Sequence, residues 1–133
     1  MSDLEQARSF FANDRYATEA TGAIIDAVAP HYAKIRLTLE DRHRNAMGAV
    51  MGGALFTLAD FAFAVASNWQ GTPTVSLTSQ ISYLNSPKGS QLFAEAECIK
   101  SGRSTCCYHI RITDDLDTLA AEVTTTGFII QNK

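Results

Sequence analysis

Three features of the sequence predict an α+β fold in which a curved antiparallel sheet wraps around one long helix. The first is the stretch Gly52–Asn68, GGALFTLADFAFAVASN, where eleven of the thirteen residues from Ala54 to Ala66 are apolar. Alanine, leucine and phenylalanine dominate and no proline intervenes, so the stretch reads as a helix about 25 Å long. The second is the chain after Pro73, a succession of β-branched or alternating segments separated by short turn signals, as antiparallel strands require. The third is a pair of candidate strands ahead of the helix. A helix that is apolar on nearly every side has to be enclosed by the rest of its domain, and a curled sheet is a layer that can do so.

In chain order, Leu4–Asn13 reads as a short amphipathic helix with Leu4, Ala7, Phe10 and Phe11 on one stripe, ending at the polar pair Asn13-Asp14. Strands are expected at Ala23–Val28 and Tyr32–Leu39, separated by Ala29-Pro30-His31. In the second, Ile35, Leu37 and Leu39 face one way and Lys34, Arg36 and Thr38 the other. Glu40–Gly48 is a polar loop carrying Arg42, His43, Arg44 and Asn45, and it leads through Met51 into the long helix. Gly71-Thr72-Pro73 breaks the helix off. Strands then follow at Thr74–Leu84, Leu92–Lys100, Thr105–Ile112 and Leu119–Ile130, and their order suggests a four-stranded meander. The turns are Asn85–Ser90, with Pro87 and Gly89, then Ser101-Gly102-Arg103-Ser104, then Asp114–Asp117.

At 133 residues the chain reads as a single domain, 1–133, able to bury roughly two-thirds of its unfolded surface. Its 46% hydrophobic and 19% charged residues are those of an ordinary globular protein. A net charge of −3 argues against nucleic acid as a partner, which calls for a basic face. The long helix is short for a membrane span, rich in alanine, and carries a carboxylate at its middle, so no membrane is expected. The N-terminal residues MSDLEQARSFF lack the apolar core of a secretory signal, and cytoplasm is the expected location. Cys98, Cys106 and Cys107 lack metal-ligand spacing and fall in strands, where free cysteine serves as a small hydrophobe. No G-x-S-x-G elbow, phosphate-binding glycine loop or metal-ligand cluster stands in the sequence.

The chemistry is concentrated in the long helix. Gly52-Gly53 leaves its first backbone N–H groups uncovered by side chains, at the positive end of the helix dipole, suited to an oxygen that gains negative charge. Asp60, the only charge in the helix, lies among Leu58, Phe61 and Phe63. Partial desolvation there would make it a stronger base or nucleophile. Eight residues of helix separate the two features by about 12 Å, whereas a reacting carbon must touch both within roughly 3 Å. One helix cannot manage that. An antiparallel second copy can, so the spacing predicts a two-fold dimer with two composite sites.

The run Asn45-Ala46-Met47-Gly48-Ala49-Val50-Met51-Gly52-Gly53, continuing through Leu58 to Asp60, resembles the N-x-x-G-x-x-H-G-G-x-x-x-x-L-x-D signature of hotdog-fold acyl-CoA thioesterases. The phenylacetic-acid-degradation (PaaI-like) group is the nearest in pattern. The similarity continues into Ile81-Ser82-Tyr83-Leu84 with Pro87 and Gly89, and covers about residues 20 to 130. The resemblance implies the hotdog fold and hydrolysis of a small or medium acyl-CoA, aryl or aliphatic, to free acid and coenzyme A. It gives Asp60 the catalytic carboxylate's role, as nucleophile or as the base that activates water. Gly52 becomes the residue whose N–H polarises the thioester carbonyl, and Asn45 a group that positions nucleophile or water across the dimer. Ser76 or Thr78, on the strand after the helix, matches an assisting polar residue, and Gly53 and Met51 border the substrate. No metal or redox cofactor is implied, coenzyme A entering only with the substrate, and the assembly would be a homodimer or a dimer of dimers.

The chain departs from the signature at Met51, where relatives carry histidine. A non-catalytic acyl-CoA-binding hotdog protein is therefore the alternative reading. Phe56, Phe61, Phe63 and Tyr83 are candidates for either pocket or core. Arg42, His43, Arg44, Lys100 and Arg103 are candidates either for coenzyme A phosphates or for a solvated face.

Overall fold

The computed structural model describes residues 1–131. Helix α1 (Asp3–Phe11) opens on a capping box. The Ser2 hydroxyl accepts the Glu5 N–H at 3.1 Å, and the Glu5 carboxylate accepts the Ser2 N–H in return. It buries Ala7 and Phe11, but Phe10, expected on the inner stripe, is exposed. The reason is narrow docking: α1 packs along strand β1 (Ile24–Ala29) and Arg8 donates to the Ile25 carbonyl at 2.8 Å. A π-helical turn, Tyr16–Thr21, follows and closes at Gly22. Six residues without an apolar period gave no sign of it.

Strand β2 (Tyr32–Thr38) pairs with β1 through the tight turn Pro30-His31 and buries Ala33, Ile35 and Leu37 completely, as its alternation predicts. The long helix α2 spans Gly52–Asn68, and the remaining strands are β3 (Thr74–Tyr83), β4 (Gln91–Ser101), β5 (Thr105–Asp114) and β6 (Leu119–Ile129). The six form one sheet in the order β1-β2-β4-β5-β6-β3, every neighbouring pair antiparallel.

That order corrects the expected four-stranded meander. Only β4, β5 and β6 follow one another; β3 pairs with β6 and forms a free edge. Asn85–Ser90 is accordingly a crossover spanning three strand spacings, about 14 Å. Two adjacent carboxylates pin it. Asp114 accepts N–H groups from Lys88, Gly89, Leu116 and Thr118 at 2.7 to 3.0 Å, and Asp115 accepts those of Ser90 and Gln91. Burial alone would raise the pKa of Asp114; the four N–H groups overcome it and hold the carboxyl well below the usual range. A local turn signal in this case serves a long-range connection.

Helix α2 lies in the concave face of the sheet. Leu55, Leu58, Phe63 and Val65 turn inward and meet Ile110, Ile112 and Val123, each buried side chain contributing about 1.5–3 kcal/mol. Phe63 stacks edge-on against Tyr108 with centroids 5.3 Å apart. This close approach needs glycine on the sheet at 127, where a Cβ would sit 2.8 Å from the Phe63 ring and 2.9 Å from the Cys106 sulfur. Asn68 ties the helix end to β3, donating to the Ala64 and Thr74 carbonyls and accepting the Thr74 N–H. The three cysteines are free, Cys106 buried and Cys98 and Cys107 half-buried. Burial pushes the thiols of Cys98 and Cys106 up, as befits small core residues.

The helix is not enclosed on every side. Gly53, Phe56, Thr57, Asp60 and Ala64 recur at helical spacing along the face turned away from the sheet, and this stripe stays open. A single sheet covers one side of a helix, and the N-terminal segment covers only part of the other. Among the described residues no helix is long and apolar enough to cross a membrane.

Candidate active site

The open stripe of α2 faces the N-terminal segment 14–17 across a cavity of about 660 Å³. The helix supplies Gly53, Phe56, Thr57, Asp60, Phe61 and Ala64, and the segment supplies Asp14, Arg15, Tyr16 and Ala17. Phe61 reaches it because its ring is held edge-on by Phe11 of α1, centroids 6.1 Å apart. The volume falls within the range of small-molecule sites, and the walls are mainly apolar with a few polar groups on one side.

Asp60 is the chemically distinctive group. Its carboxylate has neither an ion pair nor a hydrogen bond among the described residues, whereas Asp26 pairs with Arg36 and Glu19 with Arg15. The cavity walls desolvate it, and the charge of Asp14 adds to that effect, so its pKa stands above the ordinary carboxylate value. The expectation of partial desolvation agrees with this, but its source does not. Leu58 and Phe63 lie in the core on the sheet side, and Asp60 itself is exposed at the cavity mouth. Of the three residues named around it, only Phe61 lines the cavity.

Gly52 sits elsewhere. It lines a second, smaller cavity of about 240 Å³ with Val50, Leu55 and Tyr83 and the start of the crossover. Met51 takes the N-cap position in extended conformation and provides no side-chain cap, and the first intrahelical acceptor, its carbonyl, serves the N–H groups of Ala54 and Leu55. The N–H groups of Gly52 and Gly53 have no acceptor among the described residues, as expected for uncapped first-turn donors. Gly53 has open space where a side chain would project.

Asn45 organises the approach to that helix start. Its side-chain oxygen accepts the N–H of Met47 at 3.0 Å and of Ala49 at 3.1 Å, while its own N–H donates to the Ala49 carbonyl. The loop closes on itself around this side chain, and the Met51 N–H is then held by the His43 carbonyl at 2.8 Å. His43, expected on a polar loop, is buried. Its Nδ1 accepts the Glu40 N–H and its Nε2 donates to the Thr21 carbonyl at 2.7 Å. Arg42 stays exposed on the surface, where it donates to the carbonyls of Glu19 and Ala20 and pairs with Glu40. These two residues staple the loop to the π-helical turn and are not free for a phosphate. Their roles escaped sequence reasoning because the partners are backbone carbonyls some twenty positions away.

Ser76 and Thr78 lie exposed on edge strand β3, on either side of a bulge at Leu77, and line neither cavity. Arg103 is on the tip of the β4–β5 hairpin, at the end of the sheet near the C-terminus of α2, and touches neither cavity. Of the aromatic candidates, Phe63 is core, Phe56 and Phe61 line the larger cavity, and Tyr83 lies against Gly52. Tyr16, which carried no signal in the sequence, forms part of the cavity wall. Among the described residues no group of three His, Cys, Asp or Glu side chains could hold a metal ion.

Comparison with known proteins agrees with this architecture. Residues 47–121 match the family model described as the thioesterase superfamily. The acyl-coenzyme A thioesterase PaaI of Escherichia coli is 32% identical over 111 residues, 83% of this chain and 79% of that protein. The solved structure of the E. coli PaaI protein superposes with a TM-score of 0.87 at 26% identity, covering 99% of each chain. A Streptococcus mutans protein solved bound to acetyl CoA superposes with a TM-score of 0.76 at 27% identity, covering 82% of this chain and 89% of that one. By sequence motif and by fold alike, the chain belongs to the thioesterase superfamily, as a PaaI-like thioester hydrolase with the hotdog fold.

Proposed function

We propose that this protein hydrolyses acyl-CoA thioesters to free acid and coenzyme A, with Asp60 as the carboxylate that delivers or activates the attacking oxygen. The observation that carries the proposal is an unpaired carboxylate with a raised pKa at the mouth of a substrate-sized, largely apolar cavity. At the start of the same helix stand two N–H donors without acceptors among the described residues. The acyl-coenzyme A thioesterase activity named for PaaI and the acetyl CoA bound in the S. mutans structure support the class.

Within one protomer the donors and the carboxylate cannot meet on one carbon, since eight residues of helix separate Gly52 from Asp60 by about 12 Å. We therefore place the reaction in a two-fold dimer, where Gly52 of the partner subunit faces Asp60 of the first. The free edge of β3, with Val75 and Leu77 exposed, supports such pairing, because an uncovered strand edge carrying apolar side chains seeks another strand. A dimer of dimers is the assembly we extend this to, in the cytoplasm, where acyl-CoA pools are held. In the reaction, attack on the thioester carbon places negative charge on the carbonyl oxygen. The Gly52 N–H hydrogen-bonds that oxyanion, and Asn45 and Ser76 or Thr78 assist from the loop and edge strand. As the carbonyl re-forms the C–S bond breaks, and coenzyme A leaves as a thiolate that takes up the proton released by the attacking water. The reaction so written uses no metal or redox cofactor. Arg103 is kept as a candidate phosphate contact, Met51 and Gly53 as borders of the thioester.

The test is steady-state hydrolysis of a panel of aryl and aliphatic acyl-CoAs, followed with a thiol reagent, for wild type and Asp60→Asn. Turnover lost in the variant supports the assignment, and the panel ranks the acyl classes. Binding of the panel by wild type without release of thiol would favour the non-catalytic acyl-CoA-binding reading, which Met51 keeps open.

A further inference from the structure

Tyr83, at the end of β3, is over half exposed, yet it is seated on the first residue of α2. Its hydroxyl donates to the Gly52 carbonyl at 3.3 Å. Its ring lies so close to the Gly52 backbone that a Cβ built there would be 3.2 Å from both Cζ and the hydroxyl oxygen, and 3.3 Å from Cε1. Such separations are tighter than ordinary van der Waals contact, so glycine at 52 and tyrosine at 83 fit as a pair.

The position of this contact matters chemically. The Gly52 carbonyl and the Gly53 N–H belong to one planar peptide group. A donor placed on the oxygen draws electron density from the nitrogen and strengthens the N–H as a donor in its turn, the usual polarisation along a hydrogen-bonded chain. The same peptide opens the helix, where the aligned backbone dipoles already concentrate positive character. Below this peptide, the Met51 N–H is held by the His43 carbonyl and the Met51 carbonyl accepts from Ala54 and Leu55, while the Gly52 carbonyl also belongs to the intrahelical ladder of α2. Met51 contributes no side-chain cap. Tyr83 is the contact from above, anchored in a strand paired along its length with β6.

Resting on the thioesterase reading above, we infer that Tyr83 is a positioning residue, which fixes the Gly52–Gly53 peptide and polarises it so that the Gly53 N–H joins the Gly52 N–H as a second donor toward the thioester oxygen. It does not touch the reacting atoms. It acts through the backbone, in a chain that has methionine where the family signature has a histidine to assist.

The experiment compares Tyr83→Phe, which keeps the ring and removes the O–H, with wild type on the acyl-CoA that wild type turns over best. The expected result is a kcat about 3- to 10-fold lower, the worth of one neutral hydrogen bond, with KM within about 2-fold and the melting temperature unchanged. A kcat equal to wild type, or a change in KM alone, would overturn the inference and leave the phenol a wall of the smaller cavity. The paired fit gives a second test. Gly52→Ala should lose more activity alone than it does in a Tyr83→Ala background, where the crowding is gone; equal losses in the two backgrounds count against the pairing. A third readout is independent of turnover. In ¹⁵N-labelled protein the Gly53 amide proton should move upfield in Tyr83→Phe, and an unmoved resonance refutes the polarisation. A wild type without hydrolysis would defeat the thioesterase reading, while the amide shift would still decide the role of Tyr83.

Discussion

Replacing Asp60 by asparagine should cost the enzyme its activity and make the protein more stable. The substitution keeps shape and removes charge. The rate side follows from the role: removing a general base or nucleophile lowers kcat about 10²- to 10⁴-fold, or roughly 3–5 kcal/mol of transition-state stabilisation. The stability side follows from the surroundings. No cation or N–H holds the carboxylate among the described residues, while burial, then Asp14, raises its pKa. The folded protein therefore holds the proton more tightly than the unfolded chain. In the window above the unfolded value, about 3.9, the native state binds more protons, so stability falls as pH rises through the folded pKa. Above that window the full cost of the charge is present, and asparagine removes it. Because Asp60 keeps one side in water, the gain at neutral pH is at most about 1 kcal/mol, or roughly 3–5 °C in Tm for a chain of this size. Thermal melts of both proteins at one protomer concentration, at pH 7.5 and pH 3.5, check the reasoning: the variant should melt higher at the first and equal to wild type at the second. An asparagine variant that melts lower at pH 7.5 would mean that the charge has an attractive partner in the assembled protein, and the free carboxylate that the hydrolysis depends on would not exist.

Leu77→Lys, on the edge of β3 where Leu77 is 56% exposed, should leave the protomer folded but abolish both dimerisation and hydrolysis. Light scattering and the thiol assay must fall together; an active monomer would contradict the composite site. Gly127→Ala forces a methyl against Phe63, Cys106 and Thr74, which should destabilise by about 1–3 kcal/mol in urea melts. No loss there would mean that helix and sheet are less closely apposed. Asp114→Asn removes the charge that four backbone N–H groups share, at a cost of at least about 2 kcal/mol at pH 7. Since the folded pKa of Asp114 is depressed, this contribution is present above about pH 4 and disappears on acidification, so the gap between variant and wild type should narrow below that pH. Met51→His adds a donor at an N-cap that is 54% exposed and so accepts it without repacking; kcat should rise severalfold if carbonyl polarisation limits the rate, and an unchanged kcat would show that the backbone donors suffice.

Where periodicity is set by local geometry, the sequence was readable. Ile35 and Leu37 alternate against Lys34 and Arg36 because one face of β2 is core, and the alternation survives intact in the fold. Helix α2 was legible to the residue, since eleven apolar residues among its seventeen, with no proline, admit few other structures. What could not be read is what depends on distant partners. The pairing of β3 with β6 instead of β4 rests on Asp114 and Asp115 capturing the crossover, and a turn signature is the same whether the next strand lies beside or beyond. Likewise, the face of α2 that carries Asp60 is open, but alanine at 64 and phenylalanine at 56 look as apolar in sequence as residues in the core. The glycine–aspartate pattern stood out because the chemistry proposed for it needs rare residues at fixed spacing. Tyr16 and Arg42, whose parts come from a π-helical turn without a pattern, could not.

The arrangement of α2 explains why its two functional ends are kept apart. An anion held beside uncapped helix-start N–H groups would bind them itself and lose its basicity, for a carboxylate accepting several N–H bonds has a low pKa, as Asp114 shows within this same chain. Eight residues of helix prevent Asp60 from reaching the N–H groups of its own helix start, and within the protomer its carboxylate keeps a raised pKa. In the dimer proposed above, a substrate seated between two chains would bring donor and base onto one carbon. The helix thus carries a donor that must not be quenched and a base that must not be neutralised. In that dimer the hotdog layer, one helix cradled by one sheet, would let each subunit lend the other the half it withholds from itself.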